Sequence, residues 1–209
     1  MTNDKNEYII PNKKVFGQHF YKTTEKKRIN PFSSVKRGFL MKKISTITIA
    51  RAGITACAYL VLSLLTLPVM GGAIQFRISE ALCVLPLIFP ETAIGLWVGC
   101  MLSNLLGACA PLDVIFGSLI TLVAGGLTYF VGKKLKKTSL KIIIGGLFPV
   151  LLNAILLPVI WQIAYGILEY AYPIQVLFLI VSQSLSIYGL GIVLYLNVNR
   201  ILNKKNPEK

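Results

Sequence analysis

At 209 residues, with 55% hydrophobic and only 14% charged side chains, the chain is too apolar for an ordinary soluble domain and too short for a large transporter. It carries 22 Lys and Arg against 8 Asp and Glu, a formal net charge of +14. A single histidine, His19, and four cysteines (Cys57, Cys83, Cys100, Cys109) with no Cys-x-x-Cys pair exclude a zinc centre or a His-based catalytic cluster, and the cysteines read as small packing residues. The expectation is an all-α integral membrane protein that is not an enzyme and holds no metal.

Residues 1–40 form a separate block, with nine Lys and Arg against three Asp and Glu and no sustained helical or alternating period. Such a segment is expected to be a disordered, cytoplasmic, basic tail. The membrane domain is expected over residues 41–200, followed by a short basic cytoplasmic tail over 201–209. Its first apolar segment, residues 45–67, is long enough for a hydrocarbon core of about 30 Å. Small residues recur there at helical spacing in two interleaved pairs, Ala52 with Ala56 and Gly53 with Cys57. In lipid such faces let another helix approach closely, either within the chain or from a partner. Arg51 lies near the segment's end, where it can reach the interface.

Pro68 and the pair Gly71 and Gly72 end that helix and open the most polar stretch of the apolar region, residues 71–82, with Gln75, Arg77 and Glu80. A charge at a bilayer centre costs about 2.5–3.5 kcal/mol on insertion scales, so such residues pair or serve a ligand. A short second segment follows over 78–89, with Pro86 inside it. The third, 92–107, starts after Pro90 and Glu91, an acid suited to capping a helix start. The fourth, 112–132, has Asp113 in its first turn and ends at Lys133, Lys134, Lys136 and Lys137. The fifth, 140–165, contains Pro149 and Pro158, where kinks are expected. The last, 174–197, precedes Arg200.

Six crossings put both basic ends and the Lys133 cluster on one side, which the positive-inside rule makes the cytoplasm. The opposite loops then contain only Arg77 as a positive residue. Gln75, Arg77, Glu80, Asn104, Asp113, Gln162 and Gln183 all fall in the outer half, with Phe76, Trp161 and Tyr188 available for stacking and Asn153 deeper. Carboxylates and amides on that level can read the donor and acceptor edge of a planar, nitrogen-rich heterocycle. The chain has no phosphate loop for ATP, so uphill uptake would need an energising partner.

The residues Ile74-Gln75-Phe76-Arg77-Ile78-Ser79-Glu80-Ala81-Leu82, then Leu85-Pro86-Leu87, Phe89-Pro90-Glu91, Gly99-Cys100, Asn104-Leu105-Leu106-Gly107 and Leu112-Asp113-Val114-Ile115-Phe116-Gly117-Ser118, resemble the QueT-type queuosine-precursor transporters. Those are substrate-binding (S) components of energy-coupling factor (ECF) transporters. The resemblance covers about residues 42–199. It implies a six-helix, ECF S-component-like bundle in the cell membrane, with both termini cytoplasmic, that captures a 7-deazaguanine such as prequeuosine or queuine. The implied partners are the bilayer, the solute and an ECF module of a transmembrane coupling protein and two ATPases, with no nucleic acid. ATP is used by those partners, and no cofactor is bound by this chain. The family's Ala-x-x-x-Ala docking face falls on Ala52 and Ala56. The candidate solute contacts are Glu80 for the guanine-like N–H pair, Asp113 for an aminomethyl cation, Asn104 and Gln75 for other ring atoms, and Gln162 and Gln183. Arg77 is expected to brace the loop by pairing with Glu80 or Asp113. The alternatives are an S component for a different vitamin and a non-transporting membrane scaffold.

Overall fold

The computed structural model describes residues 45–67, 76–166, 168 and 170–205. The basic tail over 1–40, the glycine pair Gly71 and Gly72, and Gln75 lie outside the described residues, as do residues 206–209.

The described chain is helical. Helix α1 is Thr46–Thr66, α2 is Ile78–Leu87, α3 is Thr92–Leu106, α4 is Asp113–Lys134, α5 is Thr138–Tyr165 and α6 is Tyr172–Lys204. The ends follow local chemistry: Pro90 precedes α3, Pro111 opens the fourth helical run, and α5 stops at Gly166. That glycine takes the left-handed conformation (φ 78°), and its N–H bonds to the Gln162 carbonyl. Helix α5 continues as helix through both Pro149 and Pro158. Four of the six helices, α1, α4, α5 and α6, are long and apolar enough to cross a membrane, whereas α2 and α3 are shorter apolar helices. The expected number of helices is met, but six membrane-length spans are not.

Successive helices alternate in direction. Helices α1 and α3 run the same way: Arg51 meets Glu91 at one end, Ala56 meets Gly99 midway, and Leu67 meets Gly107 at the other. Helix α4 returns along α3, with Gly117 beside Asn104 and Gly125 beside Ala93. Along α5, Thr128 donates to the Gly145 carbonyl, and the Tyr165 hydroxyl receives the Ala110 N–H. Along α6, Asn153 reaches Gln183 and Gly146 packs on Ile187. The exposed Lys133, Lys134, Lys136 and Lys137 therefore lie at the same end as Ser45, Pro90 and Lys204.

Helix α2 is the hub. Eight of the nine residues from Ser79 to Leu87 are buried, all but half-buried Leu85, and the helix touches every other one. It is wound as a 3₁₀ helix over ten residues, although such runs rarely exceed about four. That winding rises about 2.0 Å per residue, so ten residues reach about 20 Å, further than an α-helix of the same length. Val84 and Leu87 pack with Ile142, Val150, Ile187 and Tyr195, while Leu82 and Cys83 pack with Tyr59, Leu96 and Cys100. A third cluster, Ile120, Ala154, Leu157, Trp161 and Leu179, joins α4, α5 and α6. The outer surface is aliphatic, with Ile47, Ile54, Leu65, Val123, Ile163 and Val193 exposed, as lipid contact requires.

Helix α1 divides its two small-residue pairs between the two sides. Ala52 and Ala56 face α3, where a methyl on Gly95 would collide with the Ala52 carbonyl and one on Gly99 would lie 2.7 Å from the Ala56 carbonyl. The expected docking pair is thus half-buried inside the chain. Of the two pairs, Gly53 and Cys57 are the one left exposed.

Candidate solute-binding site

The site begins where α2 does. Arg77 is the residue before the first 3₁₀ turn and Glu80 lies three residues on, so the two are brought to one face by a helix with three residues per turn. Both are buried, at 8% and 2% exposure, and Asp113 of α4 is buried at 4%. Charges this deep need hydrogen-bonding partners. Glu80 has three neutral ones: the Tyr59 hydroxyl donates to Oε1 at 2.8 Å, and the Cys83 thiol and Asn153 amide donate to Oε2 at 3.2 and 3.4 Å. A carboxylate offers about four lone-pair sites, so one remains.

Asn104 is the second node. Its oxygen accepts from Arg77 at 3.4 Å, and its Nδ2 donates to the Asp113 backbone carbonyl at 3.5 Å and to the Cys100 sulfur at 3.8 Å, a weak contact. The Thr121 hydroxyl also points to that sulfur, at 3.5 Å. The buried Trp161 indole lies near the Asp113 carboxylate. Asp113 sits in a π turn, Asp113–Gly117, that opens α4. Such turns occur frequently at functional sites. Gly117 closes that turn against the cluster, because a Cβ there would lie 2.8 Å from the Asp113 carboxylate and 3.4 Å from the Asn104 amide.

These groups enclose a small cavity lined by Arg77, Glu80, Cys100, Asn104, Gly117, Thr121, Asn153 and Leu157. Its volume open to the centre of a water molecule is about 10 Å³, room for a single water. Among the described residues, the ion pair within 4.0 Å is Arg51 with Glu91 at 3.1 Å, where Arg51 also stacks over Phe89. Arg77 therefore faces the cavity without a direct ion pair to Glu80 or Asp113, contrary to the expected brace. Glu91 makes no side-chain cap at the start of α3; its carboxylate is taken by Arg51.

A sequence profile of the QueT transporter family matches residues 49–200. The chain belongs to the QueT transporter family. It is 38% identical over 85 residues to the Queuosine precursor transporter QueT of Lactococcus lactis subsp. cremoris (strain MG1363), an alignment that covers 40% of this chain and 50% of that protein. The chain thus spans about half the length of the curated relative it matches. No solved structure matches it. Membership of a transporter family, with four helices of membrane-crossing length, makes this a multi-pass membrane protein.

Of the residues expected to meet the solute, the QueT fold brings Arg77, Glu80 and Asn104 onto one cavity, with Asp113 at its edge. Gln183 joins at one remove, accepting from Asn153 at 3.4 Å. Gln162 does not join: it is exposed, while its neighbour Trp161 is buried. Tyr188 gives its hydroxyl to the Ile143 carbonyl toward the basic end, away from the cluster. Sequence reasoning missed Tyr59 and treated Cys83 and Cys100 as packing only. For Tyr59 the available signal is its place three residues after Ala56, on the face that packs inward. The two thiols give no such signal until Glu80 and Thr121 are placed beside them.

Proposed function

We propose that this protein captures a queuosine precursor, a 7-deazaguanine such as prequeuosine or queuine, from outside the cell as the S component of an ECF transporter. All six helices cross the bilayer, the basic end is cytoplasmic by the positive-inside rule, and the Glu80 cluster belongs to the outer half. Family membership and the relative's name support the substrate class.

The observation that carries the reading is the buried trio of Arg77 and Glu80 facing one cavity and Asp113 at its edge, with no ion pair joining them within 4.0 Å among the described residues. By formal charge the trio sums to one negative, which a monocationic solute balances. Glu80 accepts the paired N–H groups of the guanine-like edge, as a carboxylate does with two adjacent donors. Asp113 attracts an aminomethyl cation, and Asn104, with Gln75, reads the remaining ring atoms. Arg77 and the Asn153–Gln183 pair hold these groups in position. A pocket for a bicyclic solute needs roughly 300 Å³ or more, so the one-water cavity is a closed state from which the helices must separate. Uptake is driven by partner subunits: a transmembrane coupling protein and two ATPases. The outward side of α1, Gly53 and Cys57 beside half-buried Ala52 and Ala56, is the docking surface we assign to the coupling protein.

Native mass spectrometry of the freshly purified protein tests this reading. A retained mass matching a 7-deazaguanine is the expected result. A retained mass of another vitamin, or an empty protein that binds no deazaguanine when it is added, contradicts it.

A further inference from the structure

Helix α6 presents a row of buried polar groups on one face. Gln175, Ser182, Gln183 and Ser186 recur at i, i+7, i+8 and i+11, the spacing of one helical face, and all are buried. Gln183 is accounted for, since it accepts from Asn153, which also reaches Glu80. Gln175 is not. It is only 3% exposed, and its side-chain carbonyl has no hydrogen-bond donor among the described residues. The Ser186 hydroxyl, on the same face within the π turn Leu185–Gly191, is in the same condition. Unsatisfied buried acceptors are costly and rare in native proteins, and they call for a specific explanation.

The position of Gln175 supplies one. It lies eight residues before Gln183, about 12 Å further from the basic end along the helix. Leu179, between them on that face, shares an apolar cluster with Trp161, whose indole lies near the Asp113 carboxylate. Gln175 is therefore displaced from Glu80 toward the side of Asp113. In a 7-deazaguanine the 7-substituent lies opposite the paired N–H edge. A ring that presents this edge to Glu80 directs its substituent away from Glu80, toward that region.

We infer that Gln175 is a solute-contacting residue whose buried carbonyl, alongside Asp113, accepts a hydrogen bond from a donor-bearing 7-substituent and so favours substituted precursors over the bare ring. This rests on the deazaguanine reading proposed above.

Calorimetric titration of the full-length protein in lipid nanodiscs tests it, with 7-aminomethyl-7-deazaguanine and unsubstituted 7-deazaguanine as probes. Wild type is expected to bind the aminomethyl compound more tightly. Gln175→Leu should weaken that compound by about tenfold or more, as for loss of a hydrogen bond to a charged group, and leave 7-deazaguanine within about threefold. Gln175→Glu should tighten the aminomethyl compound, a gain that misfolding cannot mimic. Equal weakening of both probes by Gln175→Leu, or no change in either, overturns the inference while leaving the deazaguanine reading intact, as does the absence of a gain in Gln175→Glu. Wild type that binds neither probe overturns both.

Discussion

A carboxylate at 2% exposure within an apolar bundle persists only where donors surround it, and for Glu80 those donors are a phenol, a thiol and an amide from three different helices. The phenol bond is the shortest, so Tyr59 carries much of the stabilisation of this buried group. Tyr59→Phe keeps the ring and removes the bond; it is expected to destabilise the protein by about 1.5–3 kcal/mol, the range for hydrogen bonds to charged groups. Thermal unfolding of the detergent-solubilised protein measures this, and an unchanged midpoint would show that the hydroxyl contributes nothing. At this scale the sequence was informative about residue type and uninformative about rotation. Trp161 and Gln162 are adjacent in the chain, yet one is buried near Asp113 and the other is exposed, because neighbours on a helix point about 100° apart. Nothing in the local sequence says which of the two faces inward.

The six segments were legible because prolines and glycines bound each apolar run, and every expected segment is met by a helix. What stayed illegible was how one of them winds and which sides of others meet. The 3₁₀ winding of α2 leaves no mark in a short apolar run, since alternative helical periods differ little over ten residues. The two small pairs on α1 have identical spacing, and what decides between them is a second pair, Gly95 and Gly99, far away in the chain on α3. This division gives a contrasting pair of predictions. Gly99→Leu drives a side chain into the Ala56 carbonyl and the Tyr59 side chain, and is expected to abolish the monodisperse peak in size-exclusion chromatography. Gly53→Leu, with nothing within 4 Å of its added Cβ, should preserve that peak and solute binding while reducing co-purification of the coupling subunit. Loss of the folded peak in Gly53→Leu would count against an outward role for that face.

For the whole molecule, alternating helices gather the exposed lysines at one end and the buried trio toward the other, and this polarity can be read out chemically. Cys109 lies in the turn between α3 and α4, and burial pushes its thiol up, with Asp113 adding to the shift and Arg77 opposing it. A raised thiol is less ionised at neutral pH, and only the thiolate reacts. In a Cys57→Ala background, a membrane-impermeant alkylating reagent should label Cys109 from outside intact cells, slowly at pH 7 and about tenfold faster for each unit of pH below the raised value. Labelling only after the membrane is broken would reverse the assigned orientation. On the proposed reading, a cavity with room for one water must open at this end of the bundle before a solute can enter. The central claim is that Glu80 is the group this movement exposes to the solute, and its most direct test is calorimetric titration of wild type and Glu80→Gln with 7-aminomethyl-7-deazaguanine. The account predicts saturable binding by wild type and a loss of about tenfold or more in the variant; equal affinity of the two proteins would contradict it.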